Sequence, residues 1–245
     1  MNTKTSHFSF QTKLKISLIL CVISFSLAAQ NGKYNRWVEM AQNDISLRPE
    51  YGNVEKNDAQ KKSDATFKEK ILEFYKNDTI AASKKMSDLG FKYLYDKGDL
   101  VSAMRRFNQA YILNSKNDQA YYGFGSVYFN LGAMNEAREQ YDKGLKLNPE
   151  NSAILTDYGT TYLGDYYNAI SNNSDSNKLL ELANDYLLRS YQINKEDSNT
   201  MYKLSIVKMY LGDCKAAKAF LKQAQKMKNP NITEAFISEL NQKCQ

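Results

Sequence analysis

Histidine is almost missing from this chain: the single one, His7, stands among the first ten of 245 residues. Without imidazole elsewhere, the commonest general base and a principal zinc ligand are absent. Only three prolines and eleven glycines are present, too few for a turn-rich all-β sandwich and suited to a run of helices. The three cysteines, Cys21, Cys214 and Cys244, form no C-x-x-C pair, which argues against redox catalysis. A phosphate-binding glycine loop and a Ser/His arrangement are also lacking, so no catalytic residue is nominated and neither cofactor nor metal is expected. Apolar residues, in contrast, make up 42% of the chain and charged residues 24%. That is material for a buried core and excludes wholesale disorder.

The first 29 residues read as an address. Lys4, Lys13 and Lys15 precede an apolar run from Ile16 to Ala29 that ends in Ser26-Leu27-Ala28-Ala29, the order of a secretory signal with a small-residue cleavage site. The run is shorter than the roughly 20 residues a spanning helix needs; an uncleaved anchor is the rival reading. Leu20 precedes Cys21 where a lipoprotein signal carries a small residue, which argues against lipid attachment. Cleavage implies export to the periplasm, cell envelope or exterior, and leaves no stable membrane span. Removing the three leader lysines takes the net charge from +6 to +3, and the remaining Lys and Arg are interleaved with Asp and Glu. A nucleic-acid partner needs a concentrated basic face, so none is expected.

The dominant pattern is a period of 34. Gly98 and Gly132, Ala103 and Ala137, Phe107 and Tyr141, and Leu113 and Leu147 are each separated by it, as are Gly125 and Gly159, and Tyr128 and Tyr162. Ala137 to Ala183 is 46, one period with a 12-residue insertion, after which Ala183 to Ala217 and Leu187 to Leu221 restore the spacing. Within a unit, Tyr121, Phe124, Gly125 and Tyr128 share one helix face, and Ala137, Tyr141 and Gly144 another. Gly132 ends the first helix and Asn148-Pro149 the second. Small residues at Gly125, Ala137 and Gly144 let helices approach while aromatics fill the gaps. A lone hairpin cannot bury both faces, so stability comes from stacking.

The run from Tyr121 through Phe124-Gly125, Tyr128, Gly132, Ala137, Tyr141 and Gly144-Leu145 to Pro149 resembles a tetratricopeptide repeat, with Gly144 where that family usually has alanine. The stretches Met104–Ala110 and Tyr122–Gly125 are similar to exported bacterial repeat proteins. The resemblance implies an all-α fold: a right-handed superhelical solenoid of antiparallel helix pairs, about four units, with capping helices. The organisation expected is a signal over 1–29, a linker with a short helix at Tyr34–Met40 over 30–64, and a cap over 65–83. Four repeats follow over 84–231 (84–117, 118–151, 152–197 with the insertion, and 198–231), and a terminal cap over 232–245. The inserted Asp165–Asn177 should extend the first helix by about one turn, then form a polar loop over Ser171–Asn177. That loop lacks the spaced acids and glycine of a calcium site. Asn231-Ile-Thr-Glu234 resembles a capping box opening the last helix.

Export would place Cys214 and Cys244 where disulfides persist. They open and close two short helices, and antiparallel packing would bring them together; two separate thiols are the alternative. Members of the resembled family bind peptide segments in a groove lined by the first helices. Carried over by position, the groove comprises Tyr122, Ser126, Phe129 and Asn130, then Thr156 and Thr160, then Asn199, Tyr202 and Met209. Most of the eighteen tyrosines have structural positions, but Tyr122 and Tyr202 fall one residue beyond the core stripe. The set is neutral and hydroxyl-rich, unlike the Lys/Asn cluster with which related modules grip acidic chaperone tails. The expectation is a non-enzymatic scaffold binding an apolar or neutral-polar segment of a protein partner. The alternative is a small-ligand or glycan-binding protein that uses tyrosine faces.

Overall fold

The computed structural model describes residues 32–172 and 176–245. The leader at 1–29, and with it the expected cleavage, lies outside the described residues. So do Asn173, Ser174 and Asp175 of the inserted loop.

Eleven helices are described and no strand is found among these residues. A first helix, α1, covers 32–43. It is followed by two 3-10 segments, Ile45–Leu47 and Pro49–Asn53, and by α2, Asp58–Phe74. Four antiparallel hairpins come next: α3 (Thr79–Lys97) with α4 (Leu100–Leu113), α5 (Asp118–Asn130) with α6 (Met134–Leu147), α7 (Ser152–Ser171) with α8 (Asn177–Ile193), and α9 (Ser198–Tyr210) with α10 (Cys214–Lys226). α11, Glu234–Lys243, closes the row. Packing is between partners within a hairpin and between neighbouring hairpins, with α3, α5, α7 and α9 side by side. This is a helical solenoid.

Local chemistry sets the boundaries. Asp78, Asn117, Asn151 and Asp197 each accept backbone N–H bonds at the start of α3, α5, α7 and α9, satisfying donors that a helix start leaves free. Two of these caps also tie repeats together: Asn117 Nδ2 donates to Ser83 Oγ at 2.7 Å, and Asn151 Nδ2 to Asp118 Oδ2 at 2.7 Å. Gly132 and Gly212 take φ of 78° where α5 and α9 end, a conformation cheap only for glycine. Close approach explains other glycines. A Cβ on Gly125 would lie 2.2 Å from the Tyr141 ring, and one on Gly123 2.2 Å from the Phe107 ring. The aromatic knobs of α4 and α6, Phe107 and Tyr141, therefore seat on bare backbone of α5.

Four expectations need correction. The helix preceding the repeats starts at Asp58, inside the stretch expected as linker, because Asn57 and Gln60 form a reciprocal capping box. The next helix starts at Thr79, five residues before Lys84, because Asp78 caps it. Thr233, not Asn231, caps the last helix, its hydroxyl accepting from Phe236 N; Asn231 Nδ2 instead donates to Asn199. The insertion is also more helical than expected. α7 has 20 residues against 13 in α5, so the extension is nearly two turns, and Tyr166 and Tyr167 on it pack against Tyr210 at 5.1 and 5.8 Å.

Residues 32–53 form an ordered strap along the second helices α4 and α6. Asn108, fully buried, donates to the carbonyls of Ser46 and Arg48 and accepts from Tyr51 N–H. Arg105 pairs with Asp44 at 2.8 Å, Lys143 pairs with Glu50, and Tyr34 donates to Glu136. These anchors hold a left-handed turn in which Glu50, Tyr51, Gly52 and Asn53 all have φ between 54° and 71°, costly for non-glycine residues. At the other end, Cys214 and Cys244 are brought to a Cα separation of 5.4 Å, the span of a disulfide.

Candidate functional site

The first helices do not present a uniform groove. Tyr95, Phe129, Leu163 and Met209 occupy the same position in successive repeats, yet Tyr95 is 58% exposed and Phe129 is half-buried, whereas Leu163 and Met209 are buried. The last two share one apolar cluster with Tyr166 of the α7 extension and with Phe236 and Leu240 of α11. The extension and the terminal cap thus fill the groove beside repeats three and four.

What stays open is a cleft of about 440 Å³ lined by Tyr95 of α3, Tyr122, Ser126, Phe129 and Asn130 of α5, Asp157 of α7 and Asn199 of α9. Five of the nine groove residues named from sequence meet here: Tyr122, Ser126, Phe129, Asn130 and Asn199. The other four do not line it. Thr156 is buried, its hydroxyl shared with Ser190 and Thr200. Thr160 donates to the Thr156 carbonyl at 2.7 Å, a bond within its own helix. Tyr202 packs edge-on against Phe236 at 5.2 Å under the terminal cap. Met209 is core. In each case the repeat position is right for a groove, but a neighbouring element covers it or its own helix uses it.

Two lining residues fall outside the set named from sequence. Tyr95 is one period before Phe129, so the spacing itself carries the signal for it; the glycines of the first repeat give a less certain register. Asp157 has no such signal, since its equivalents are Gly123 and Lys203.

The cleft combines stacked rings with hydrogen-bonding groups. Phe91 lies parallel to Tyr95 at 6.0 Å and 5.1 Å from Tyr122, fixing both rings. Tyr122 donates its hydroxyl to Asp157 Oδ2 at 3.1 Å, and Lys203 Nζ is 3.6 Å from the other carboxylate oxygen. The phenols of Tyr95, Tyr122 and Tyr141 all lie above their ordinary value, chiefly through burial and secondly through the Asp157 carboxylate. They therefore remain neutral O–H groups at physiological pH. Asn130 Nδ2 is used on the Ser126 carbonyl and Asn199 Oδ1 accepts from Asn229 and Asn231. That leaves Asn130 Oδ1 as an acceptor and Asn199 Nδ2 as a donor. The buried Ser126 Oγ lies within reach of the Tyr95 and Tyr141 phenols, and the three hydroxyls form a polar cluster at the wall of the cleft.

A second cleft, about 290 Å³, lies between the 3-10 segments, α2 and α4. Its charges are already mutually satisfied: Lys56 pairs with Asp64 and Arg105 with Asp44. It is a packed joint with little left to offer a ligand. Among the described residues, no cluster of three or more His, Cys, Asp or Glu is placed to hold a metal, and no helix is long and apolar enough to cross a membrane.

Comparison with known proteins agrees with this architecture. Residues 94–163, from the end of α3 into α7, match the tetratricopeptide repeat family. Human tetratricopeptide repeat protein 6 is 33% identical over 64 residues, which is 26% of this chain and only 12% of that protein. A thermophilic tetratricopeptide-repeat protein of Thermus thermophilus superimposes with a TM-score of 0.51 at 24% identity, covering 59% of this chain and 74% of its own. PilF of Pseudomonas aeruginosa does so with 0.52 at 21% identity, covering 63% and 64%. These likenesses show the fold.

Proposed function

The chain is a tetratricopeptide-repeat protein, and from that premise we propose that it is a non-catalytic scaffold of the periplasm or cell envelope. It holds one segment of a partner protein in the cleft formed by the first helices of repeats one to three and closed by Asn199 of repeat four. The observation that carries this reading is the open, aromatic cleft into which Asn130 Oδ1 and Asn199 Nδ2 are left free to bond. Phe129 and the Tyr95 face would cover apolar atoms of an approaching segment, and Asn130 and Asn199 would bond its backbone. With Asp157 occupied by Tyr122 and Lys203, the free groups are neutral, which favours a neutral-polar or apolar segment. The leader-like first 29 residues support the location, and tetratricopeptide repeats generally act as protein-binding scaffolds.

The test is a crosslinking pull-down from native cell envelope with the original chain and a Tyr95→Ala/Asn130→Ala variant. Both side chains are exposed, so the variant keeps its fold. The expected result is one stoichiometric protein partner captured by the original and lost from the variant. Binding to a glycan array without a protein partner would replace the scaffold by a sugar-binding role.

A further inference from the structure

Charge is not evenly spread along the solenoid. Residues 32–197 carry 22 basic and 24 acidic side chains, whereas residues 198–245 carry eight basic and three acidic ones. All the positive excess of the chain beyond the leader thus sits in the last hairpin and cap, against the interleaving expected from the sequence as a whole.

It is also concentrated on one face. α10 contains Lys215, Lys218, Lys222 and Lys226 and no acid. At 3.6 residues per turn these four fall within roughly 80° of arc over about 16 Å of helix, opposite the buried Ala217, Leu221 and Ala224. Lys228 follows at once. Lys218 Nζ donates to the Cys244 carbonyl at 2.6 Å. Among the described residues, Lys215, Lys222, Lys226 and Lys228 are exposed and engage in no ion pair.

We propose that this lysine ridge docks the protein on an anionic phospholipid bilayer, leaving the peptide cleft free for its partner. The ridge stands on a helix crest and no described cleft is lined by its lysines; a crest meets an extended surface better than it meets a single acidic side chain. Lysines act as hydrated point charges suited to diffuse attraction, unlike the forked guanidinium that selects phosphate or carboxylate geometry. Single-stranded nucleic acid would call for aromatic stacking beside the charge, but the one ring on α10, Phe220, is packed edge-on against Tyr191 at 5.2 Å. Met227, 41% exposed between Lys226 and Lys228, adds an apolar contact for the headgroup boundary. Each lysine near such a surface strengthens partition by roughly fivefold.

The test is vesicle co-sedimentation of the protein in the form the cell accumulates, with phosphatidylcholine alone or mixed with phosphatidylglycerol. Three forms are compared: the original; Lys215→Gln/Lys222→Gln/Lys226→Gln/Lys228→Gln; and a control of equal charge, Lys62→Gln/Lys68→Gln/Lys70→Gln/Lys85→Gln, on exposed sites of α2 and α3. Thermal unfolding checks that all three are folded. The original should prefer the phosphatidylglycerol vesicles by more than about tenfold and lose that preference in high salt. The α10 variant should lose most of it and the control little. Equal binding to both vesicles, equal losses in the two variants, or displacement of the vesicles by RNA or polyglutamate at matched charge would overturn the proposal.

Discussion

The first two repeats and the last two are built on the same spacing, yet they treat their inner face in opposite ways. At one shared position the chain leaves Tyr95 and Phe129 open and buries Leu163 and Met209. The difference comes from what lies outside the repeat: a two-turn extension of α7 and a terminal cap at one end, and at the other a strap that runs along α4 and α6 and leaves the inner face clear. A repeat position therefore defines where a side chain points, and its neighbours decide whether it becomes core or site.

Alanine substitution along that shared position should separate the two halves most strongly. Met209→Ala should cost about 2–5 kcal/mol of stability, as deletion of a buried side chain does. Tyr95→Ala, which removes one stacked ring at the surface, should cost no more than about 1.5 kcal/mol. Denaturant unfolding of both checks it, and similar losses would erase the distinction between closed and open halves. The closed half should also depend on its cap. Cys214 and Cys244 join α11 to α10 across a 30-residue separation, and Cys244→Ser should cost about 2–4 kcal/mol. Non-reducing peptide mapping must first find the two cysteines linked; free thiols would remove the prediction's basis.

Gly125→Val tests the close packing beneath the open half. The new side chain would press on the Tyr141 ring, and overpacking of this kind costs about 1–3 kcal/mol, read as a lowered Tm. Gly164, also inside a first helix, meets only Met134 Cε at 3.6 Å. Gly164→Ala should instead raise stability by about 0.5–1 kcal/mol through helix propensity.

Alkaline pH gives a milder contrast. Tyr128 and Tyr167 are both pushed up to about 12, chiefly by burial. An unfolded phenol ionises near 10. Their contribution to stability is therefore complete below about pH 10 and lost as pH rises towards 12, because the unfolded chain releases protons that the native one keeps. A thermal midpoint flat to about pH 9 and falling above about pH 10, with phenolate absorbance appearing together with unfolding, is expected. Phenolate formation before unfolding would contradict it.

Periodicity makes the helical hairpins and their glycine ends readable from sequence, because like residues at a 34-residue spacing report a repeated environment, while the five cleft residues come from the family resemblance carried over by position. It does not reveal the strap, whose anchors are hydrogen bonds from Asn108 to backbone carbonyls 60 and 62 residues away. The same blindness misplaces Tyr202 and Met209, since a period carries no information on what an inserted turn or a cap will cover. It also misplaces Thr156, whose hydroxyl is taken by Ser190 and Thr200 of neighbouring helices. Asp157 is hidden for a related reason: its role comes from meeting Tyr122 of another repeat.

The proposed scaffold role places partner binding in the open cleft and not on other exposed aromatic surfaces. A photo-crosslinking amino acid placed at Tyr95 in the cleft, or at Phe74, 78% exposed at the end of α2, tests this assignment in living cells. One discrete protein adduct is predicted from position 95 and none from position 74. The same adduct from both positions, or from position 74 alone, would contradict it.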